Sequence, residues 1–343
     1  MPSPIDQGTV LVTGASSGIG REIARIVAPR CRRLVLVARR TERLRELADE
    51  LSRDHRSLEV FVIACDLADR AALAALVAKV HDEVGEVDVL VNNAGVGTMS
   101  VFDRSQLDKQ LTMIDLNVTA LVSLTHAFLP GMVARGRGSV FMVGSGFGLS
   151  VSPGFATYVG TKHFITGFTE SLAADLAGTG VHVGQICPGP VATEFEENTG
   201  NFTGQPIPAF LQISAAQCAQ ATVTAIDDAV VLAVPHVFVR LGLALLPFVP
   251  RFVVRLAAGV RVLGKPSPHD WDEKPLGKHV ATQAQPRWPG GVTRRLSSET
   301  RGRLNRQRVG RGRRHPRRSP GVLRERGAGR MVLEFRAAEA TAG

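Results

Sequence analysis

The sequence predicts an α/β fold, a doubly wound parallel sheet flanked by helices. Three observations carry this expectation. Short β-branched apolar runs stand at 10–12, 34–37, 60–64, 87–91, 140–143 and 181–186. Most are apolar at nearly every position rather than at alternate ones, as in strands covered on both faces. Between them lie segments such as 42–51 and 71–84, with apolar residues at the three- and four-residue spacing of helices. Strand and helix alternating in this way give a parallel sheet, and ligands bind at the carboxyl ends of its strands.

The first run, from Thr9 to Thr13, ends in Gly14-Ala15-Ser16-Ser17-Gly18-Ile19-Gly20. Glycines let the backbone turn sharply and lie close to a ligand. A helix starting near Gly18 directs free N–H groups and partial positive charge at the same spot, which suits a pyrophosphate. The spacing is T-G-x-x-x-G-x-G rather than the common G-x-G-x-x-G. Taken alone, it is equally the spacing of an ordinary strand-to-helix turn.

Tyr158 and Lys162 stand four apart, and on a helix they share one face. A tyrosine hydroxyl has a pKa of about 10 and is a poor acid or base at neutral pH. A neighbouring ammonium favours the phenolate, and the phenol can then exchange a proton with a carbonyl or alcohol oxygen. Tyr158 is the one tyrosine of the chain. Ser145 follows the run at 140–143 and so falls at a strand's carboxyl end, where its hydroxyl can polarise the same oxygen.

With these residues in view, the chain resembles the single-domain, NAD(P)-dependent short-chain dehydrogenase/reductases over residues 8 to about 235. Asn92-Asn93-Ala94-Gly95 matches the motif after the fourth strand, and Asp66 before Leu67 matches the adenine-reading position. Pro188-Gly189, Val191 and Thr193 match the turn that holds the nicotinamide end. The resemblance implies a Rossmann-type catalytic domain with Asn117, Ser145, Tyr158 and Lys162 as catalytic residues. Tyr158 would be the general acid or base. Lys162 would hold the nicotinamide ribose and lower the tyrosine pKa. Ser145 would bind the substrate oxygen. Asn117 would complete a proton path through its carbonyl. Gly14, Ser16, Ser17, Gly18, Ile19, Gly20, Asp66, Leu67, Asn93, Ala94 and Gly95 would line the cofactor site. Gly144 and Gly160 depart from the usual pattern without removing a catalytic group. The family resemblance also implies a homo-oligomer, built on helices at about 104–135 and 155–178.

The cofactor type is legible in charge. The second strand ends Ala38-Arg39-Arg40. A carboxylate there would serve the ribose hydroxyls of NAD, whereas a guanidinium suits the 2′-phosphate of NADP. Arg39 therefore points to NADP(H).

Three regions are expected: a catalytic domain over 1–235, an apolar helical extension over 236–285 and an Arg-rich disordered tail over 286–343. The net charge of +10 comes from the tail, which holds 16 Arg, no Lys and 4 acidic residues. The rest carries 25 basic and 27 acidic groups, so no nucleic-acid partner is expected for the folded part. Segment 191–213 is polar and glycine-rich with three phenylalanines, and reads as a lid. The apolar segment at 235–263 has its longest charge-free stretch, ten residues, at 241–250. That is too short to span a membrane. Packing on the substrate cleft or a partner subunit fits it, as does a peripheral contact with a membrane surface. Phe195, Phe202, Phe210, Leu211 and Phe238 favour a lipophilic carbonyl or alcohol substrate. A 3-oxoacyl thioester reductase and a non-catalytic, membrane-associated nucleotide-binding protein are the alternatives. Four scattered cysteines and a start without a basic-then-apolar leader point to a cytoplasmic protein without metal.

Overall fold

The computed structural model describes residues 3–100, 102–199, 211–245, 248–250 and 252–253, without the side chains of 196–198. The tail expected at 286–343, most of the apolar extension, Phe202 and Phe210 lie outside these residues.

Seven parallel strands form one sheet in the order β3-β2-β1-β4-β5-β6-β9. They are β1 (Thr9–Thr13), β2 (Arg33–Ala38), β3 (Glu59–Ala64), β4 (Val89–Asn92), β5 (Gly138–Val143), β6 (Val181–Ile186) and β9 (Leu232–Ala233). The chain starts in the middle at β1, winds outward through β2 and β3, then returns past β1 to wind the other way. The crevice between β1 and β4 is therefore the switch point where such sheets take their ligands.

Side chains alternate across the sheet, and both faces are dry. Val10 and Val12 of β1, Leu34 and Leu36 of β2, and Phe141 of β5 enter one core with Ile23 and Val27 of α1 (Gly18–Val27), Leu44 and Leu47 of α2 (Thr41–Asp54), and Val223 of α8 (Ala215–Asp227). Leu11, Val35, Val37 and Val140 enter the opposite core with Leu73 of α3 (Arg70–Lys79), Leu124 and Phe128 of α5 (Ala120–Ala134), and Ile165 of α6 (Ala156–Asp175). Uninterrupted apolar runs are thus what two packed faces demand. β3 departs from that expectation. Only Ile63 of it is buried, while Glu59 and Ala64 are exposed. As the edge strand, it has a neighbour on one side and incomplete helical cover.

The expected helix over 71–84 is α3 followed by a π-helical turn, Val80–Val84. The seventh strand of the sheet, β9, is only two residues long. A helix α4 (Leu107–Ile114) runs through a π-helical turn, Asp115–Thr119, into α5. This 28-residue rod is long and apolar enough by composition to cross a membrane. It packs Leu121, Leu124, Phe128 and Met132 into the core beneath the sheet, so its length serves the fold.

Two short parallel strands, β7 (Val191–Ala192) and β8 (Ile213–Ser214), flank the helix α7 (Glu194–Thr199). A final helix α9 (Val237–Leu245) lays Val239 over Gly189, while Val237, Phe238, Leu241 and Leu245 on its other sides are exposed.

Candidate active site

The turn after β1 is fixed by a few buried hydrogen bonds. Thr13 Oγ1 donates to the Val91 carbonyl (3.2 Å) and accepts from the backbone N–H groups of Asn93 (2.9 Å) and Ala94 (3.0 Å). The Asn93 amide donates back to the carbonyls of Thr13 (2.8 Å) and Gly14 (3.4 Å). β1 and β4 are thereby clasped at their carboxyl ends. Gly14 has φ +68°, and a Cβ there would lie 2.7 Å from Asn93 Nδ2. At Gly20 a Cβ would strike the same amide and the Gly14 carbonyl oxygen, 2.6 Å away. Only glycine fits at either position. Ser17 is the N-cap of α1 but makes no side-chain cap bond, and no acidic residue stands in the first turn. The helix start thus retains its donors and its positive end for an anion.

Past β2 the two arginines part. Arg39 stands at 4.0 Å from Asp66, with both side chains more than half exposed. Arg40 turns to the glycine turn instead. Its Nη2 donates to Ser17 Oγ (2.6 Å) and Ser16 Oγ (3.3 Å), and its Nε also reaches Ser16 Oγ (3.3 Å). The sequence argument named Arg39 for the phosphate and left Arg40 aside. The geometry adds Arg40, whose guanidinium lies against the loop that would hold the anion. Arg43, in the first turn of α2, shares Glu194 with Arg40. The adjacent Arg39-Arg40 pair was the signal for Arg40, and Thr13 is the threonine of the T-G-x-x-x-G-x-G motif, whereas nothing in the sequence marked Arg43 or Glu194. The donors present fit a pyrophosphate over α1 and a second phosphate beside Ser16, Ser17 and Arg40. Leu67 is buried below Asp66 in the core, and Ile19 packs on the opposite one.

The catalytic candidates meet where β5 and α6 approach. Tyr158 and Lys162 lie on the buried face of α6, as their spacing predicts. Ser145 follows β5 in extended backbone, its Oγ accepts from the Phe147 N–H (3.2 Å), and its hydroxyl is near enough to the Tyr158 phenol to favour the phenolate. Lys162 Nζ donates to the Val143 carbonyl (2.9 Å) and stands 5.6 Å from the Tyr158 ring centre. Asn117 lies in the π-helical turn between α4 and α5, a distortion common at functional sites. Its side chain is locked to Val96, accepting from the N–H and donating to the carbonyl, both at 2.9 Å. A Cβ on Gly95 would lie 3.2 Å from Asn117 Oδ1 and 3.9 Å from Lys162 Nζ. All four residues and the turn after β4 therefore converge. Gly144 has a packing reason: a Cβ there would press on the Ile186 carbonyl at 3.0 Å and Cys187 Sγ at 3.3 Å. Gly160 faces open space.

One electrostatic expectation is corrected. The spacing implied that Lys162 lowers the tyrosine pKa. Burial instead dominates, pushing Tyr158 up to about 12 against a smaller opposing pull from the nearby Ser145 hydroxyl. It likewise pushes Lys162 down to about 8. Removal from water penalises the charged form of each, and neither group's shift carries a contribution from the other. A stability test follows. Unfolded lysine titrates near 10.5, so between pH 8 and that value the unfolded chain binds more protons than the folded one. Stability therefore gains from Lys162 as pH rises through this window, by at most about 3 kcal/mol. Burial pushes the four cysteine thiols up, which acts oppositely above pH 9 but in wild type and variant alike. Urea midpoints at pH 8 and pH 10 should show the wild type gaining on Lys162→Met. A constant difference would contradict the assignment.

The remaining matched positions form the far wall. The Pro188 carbonyl accepts from the Gly146 N–H (2.7 Å), tying the turn after β6 to the Ser145 loop. Val191 is buried at β7. Thr193 approaches Gly18, whose added Cβ would meet Thr193 Cγ2 at 3.3 Å. Phe147, Phe155 and Phe195 surround Tyr158 with ring centres 6.2, 5.9 and 5.6 Å away. Leu211 and Phe238 are not among the residues packed on Tyr158.

The family model described as short chain dehydrogenase matches residues 8–203, which hold the glycine turn, all four catalytic candidates and the lid start. The chain belongs to this family. Among its relatives is sulfoacetaldehyde reductase 2 of Chromohalobacter salexigens, 40% identical over 191 residues, or 54% of this chain and 73% of the relative. The NADP-dependent 3-hydroxy acid dehydrogenase YdfG of Escherichia coli is 39% identical over 188 residues, or 54% of this chain and 74% of the relative. A short-chain dehydrogenase from Sphingobium yanoikuyae, solved in complex with NADPH, is similar at TM-score 0.62 and 31% identity, covering 68% of this chain and 91% of that one. This short-chain dehydrogenase is thus an oxidoreductase of Rossmann type whose family match ends before the apolar extension and the basic tail.

Proposed function

We propose that the chain is an NADP(H)-dependent oxidoreductase that interconverts a carbonyl and a secondary alcohol on a lipophilic substrate. The observation that carries it is the pairing of Tyr158 and Lys162 on the buried face of α6, close to Ser145, at the end of the sheet that holds the glycine turn. Gly14 to Gly20 and the start of α1 would hold the pyrophosphate. Ser16, Ser17, Arg39 and Arg40 would hold the 2′-phosphate, and Asp66 and Leu67 the adenine. Asn93, Ala94, Gly95, Pro188, Gly189, Val191, Thr193, Tyr158 and Lys162 would frame the nicotinamide half. Bound nicotinamide supplies or accepts the hydride.

The protein's own residues handle the proton. Ser145 Oγ orients the substrate oxygen beside Tyr158 Oη. Held up to about 12, Tyr158 carries its proton at neutral pH, which suits it to give that proton to a carbonyl oxygen in reduction. Lys162 and Asn117 position the phenol and the ribose from below. The catalytic domain spans 1–235.

Support for a lipophilic substrate is the wall of Phe147, Phe155 and Phe195 against Tyr158, with Val96, Met99, Met113 and Val159 behind it. An acyl chain on a thioester would use the same wall, so the 3-oxoacyl reductase reading stands second. A chain-length series of ketones, aldehydes and 3-oxoacyl thioesters, followed by NADPH absorbance with and without detergent, is expected to show rising kcat/KM with apolar length. Preference for short anionic carbonyls, of the kind that the names of the two relatives indicate, would overturn the lipophilic assignment.

A homo-oligomer is also proposed, on the exposed Leu107, Leu111 and Ile114 of α4 beside Phe164 of α6. A clustered apolar face of this kind is typical of an interface. Sedimentation velocity reads it directly, and a monomer would remove it. The exposed face of α9 supports a peripheral membrane contact, and the detergent arm of the substrate assay bears on this as well. A cytoplasmic location accords with four buried cysteines, all of them free thiols.

A further inference from the structure

Three consecutive residues of one short segment touch three different functional parts. Thr193 lies against Gly18 of the glycine turn. Glu194 accepts from Arg40 Nη1 at 2.8 Å and from Arg43 Nη1 at 2.6 Å. Phe195 lies with its ring centre 5.6 Å from that of Tyr158, and its Cζ would be 2.7 Å from a Cβ placed on Gly97. The helix that follows is held to the turn after β4, where the Met99 N–H donates to the Thr199 carbonyl at 3.2 Å.

We propose that Glu194 and Phe195 form a latch, by which a 2′-phosphate arriving at Arg40 and Arg43 frees the face of the catalytic tyrosine for substrate. The proposal rests on the NADP(H) reading above and assigns a positioning role to a residue outside the chemistry. Two guanidinium groups share the Glu194 carboxylate, and one of them is already held to Ser16 and Ser17. A phosphate monoester carries nearly twice the charge of a carboxylate and offers three acceptor oxygens. The two anions repel each other at this site, so the phosphate displaces the carboxylate. Departure of Glu194 is easy because the pair is 40% or more exposed and exposed ion pairs are weak. Glu194 and Phe195 share the first turn of α7, so a shift of that turn carries both. Releasing Glu194 therefore shifts Phe195 off Tyr158. Coupling of this kind is reciprocal, so an apolar substrate that displaces Phe195 also tightens the 2′-phosphate.

The test uses the full chain and two probes without nicotinamide, 2′,5′-ADP and 5′-AMP. Binding is measured by calorimetry, and hydrogen exchange is followed over residues 191–199. In the wild type, 2′,5′-ADP should raise exchange across this segment and 5′-AMP should not. Glu194→Gln should bind 2′,5′-ADP roughly two- to fivefold more tightly, the range expected for losing one exposed ion-pair competitor. Its affinity for 5′-AMP should not change, and its segment should exchange fast before any ligand is added. Wild-type binding of 2′,5′-ADP with unchanged exchange, or a Glu194→Gln variant that binds it equally or more weakly, overturns the latch alone. Equal wild-type affinity for the two probes would overturn the NADP(H) reading and the latch with it.

Discussion

Tyr158→Phe should lower kcat by roughly 10²- to 10⁴-fold, the range attributed to a positioned general acid or base, while leaving the Kd for NADPH within about twofold. The asymmetry follows from what the substitution removes. The ring remains, with its contacts to Phe147, Phe155 and Phe195. Only the hydroxyl, which faces Ser145, is lost. The fold should survive, because a buried phenol whose partner can turn to other acceptors is among the milder deletions. Single-turnover absorbance at 340 nm and a binding titration separate the two quantities. A non-catalytic nucleotide-binding protein would show no turnover in the parent, and a variant that keeps full turnover would remove the enzyme mechanism argued here.

A double substitution, Arg39→Ala with Arg40→Ala, should raise the Kd for NADPH by roughly 10- to 100-fold, and that for NADH by less than about threefold. A charged hydrogen bond contributes about 1.5–3 kcal/mol, which is one to two decades in affinity. The 2′-phosphate is the one group that distinguishes the two cofactors, so the loss should fall on NADPH. Arg40 reaches Ser16 and Ser17 across the cofactor turn, which makes it the larger contributor of the two. Equal loss for both cofactors would mean that the pair only shapes the loop.

Much of this was legible before any coordinates. The strand runs were readable because both faces of a central parallel strand are covered, which leaves no polar position to confuse the pattern. Tyr158 and Lys162 were readable because four residues bring side chains to one helical face whatever the surroundings. Gly14 and Gly20 marked themselves by their spacing, and the clashes with Asn93 explain why nothing larger stands there. Other features depend on partners distant in sequence. The exposure of β3 follows from its place at the sheet edge. Arg39 and Arg40 look equivalent on paper, yet successive side chains beyond a strand point to opposite sides. One meets Asp66 after β3 and the other the turn after β1.

The amino-acid order by itself determined the alternation of strand and helix, the glycine turn after β1 and the placing of Tyr158 and Lys162 on one helix face, because each depends on spacing within a few positions. Tertiary structure alone decided how those residues ionise and what guards them. Burial shifts the Tyr158 and Lys162 proton affinities against the simple pairwise expectation. A segment over 150 residues downstream of Arg40 and Arg43 brought Glu194 to them and Phe195 to the tyrosine. Pairwise spacing fixes which groups can meet, whereas the dielectric and the competition around them are properties of the assembled chain.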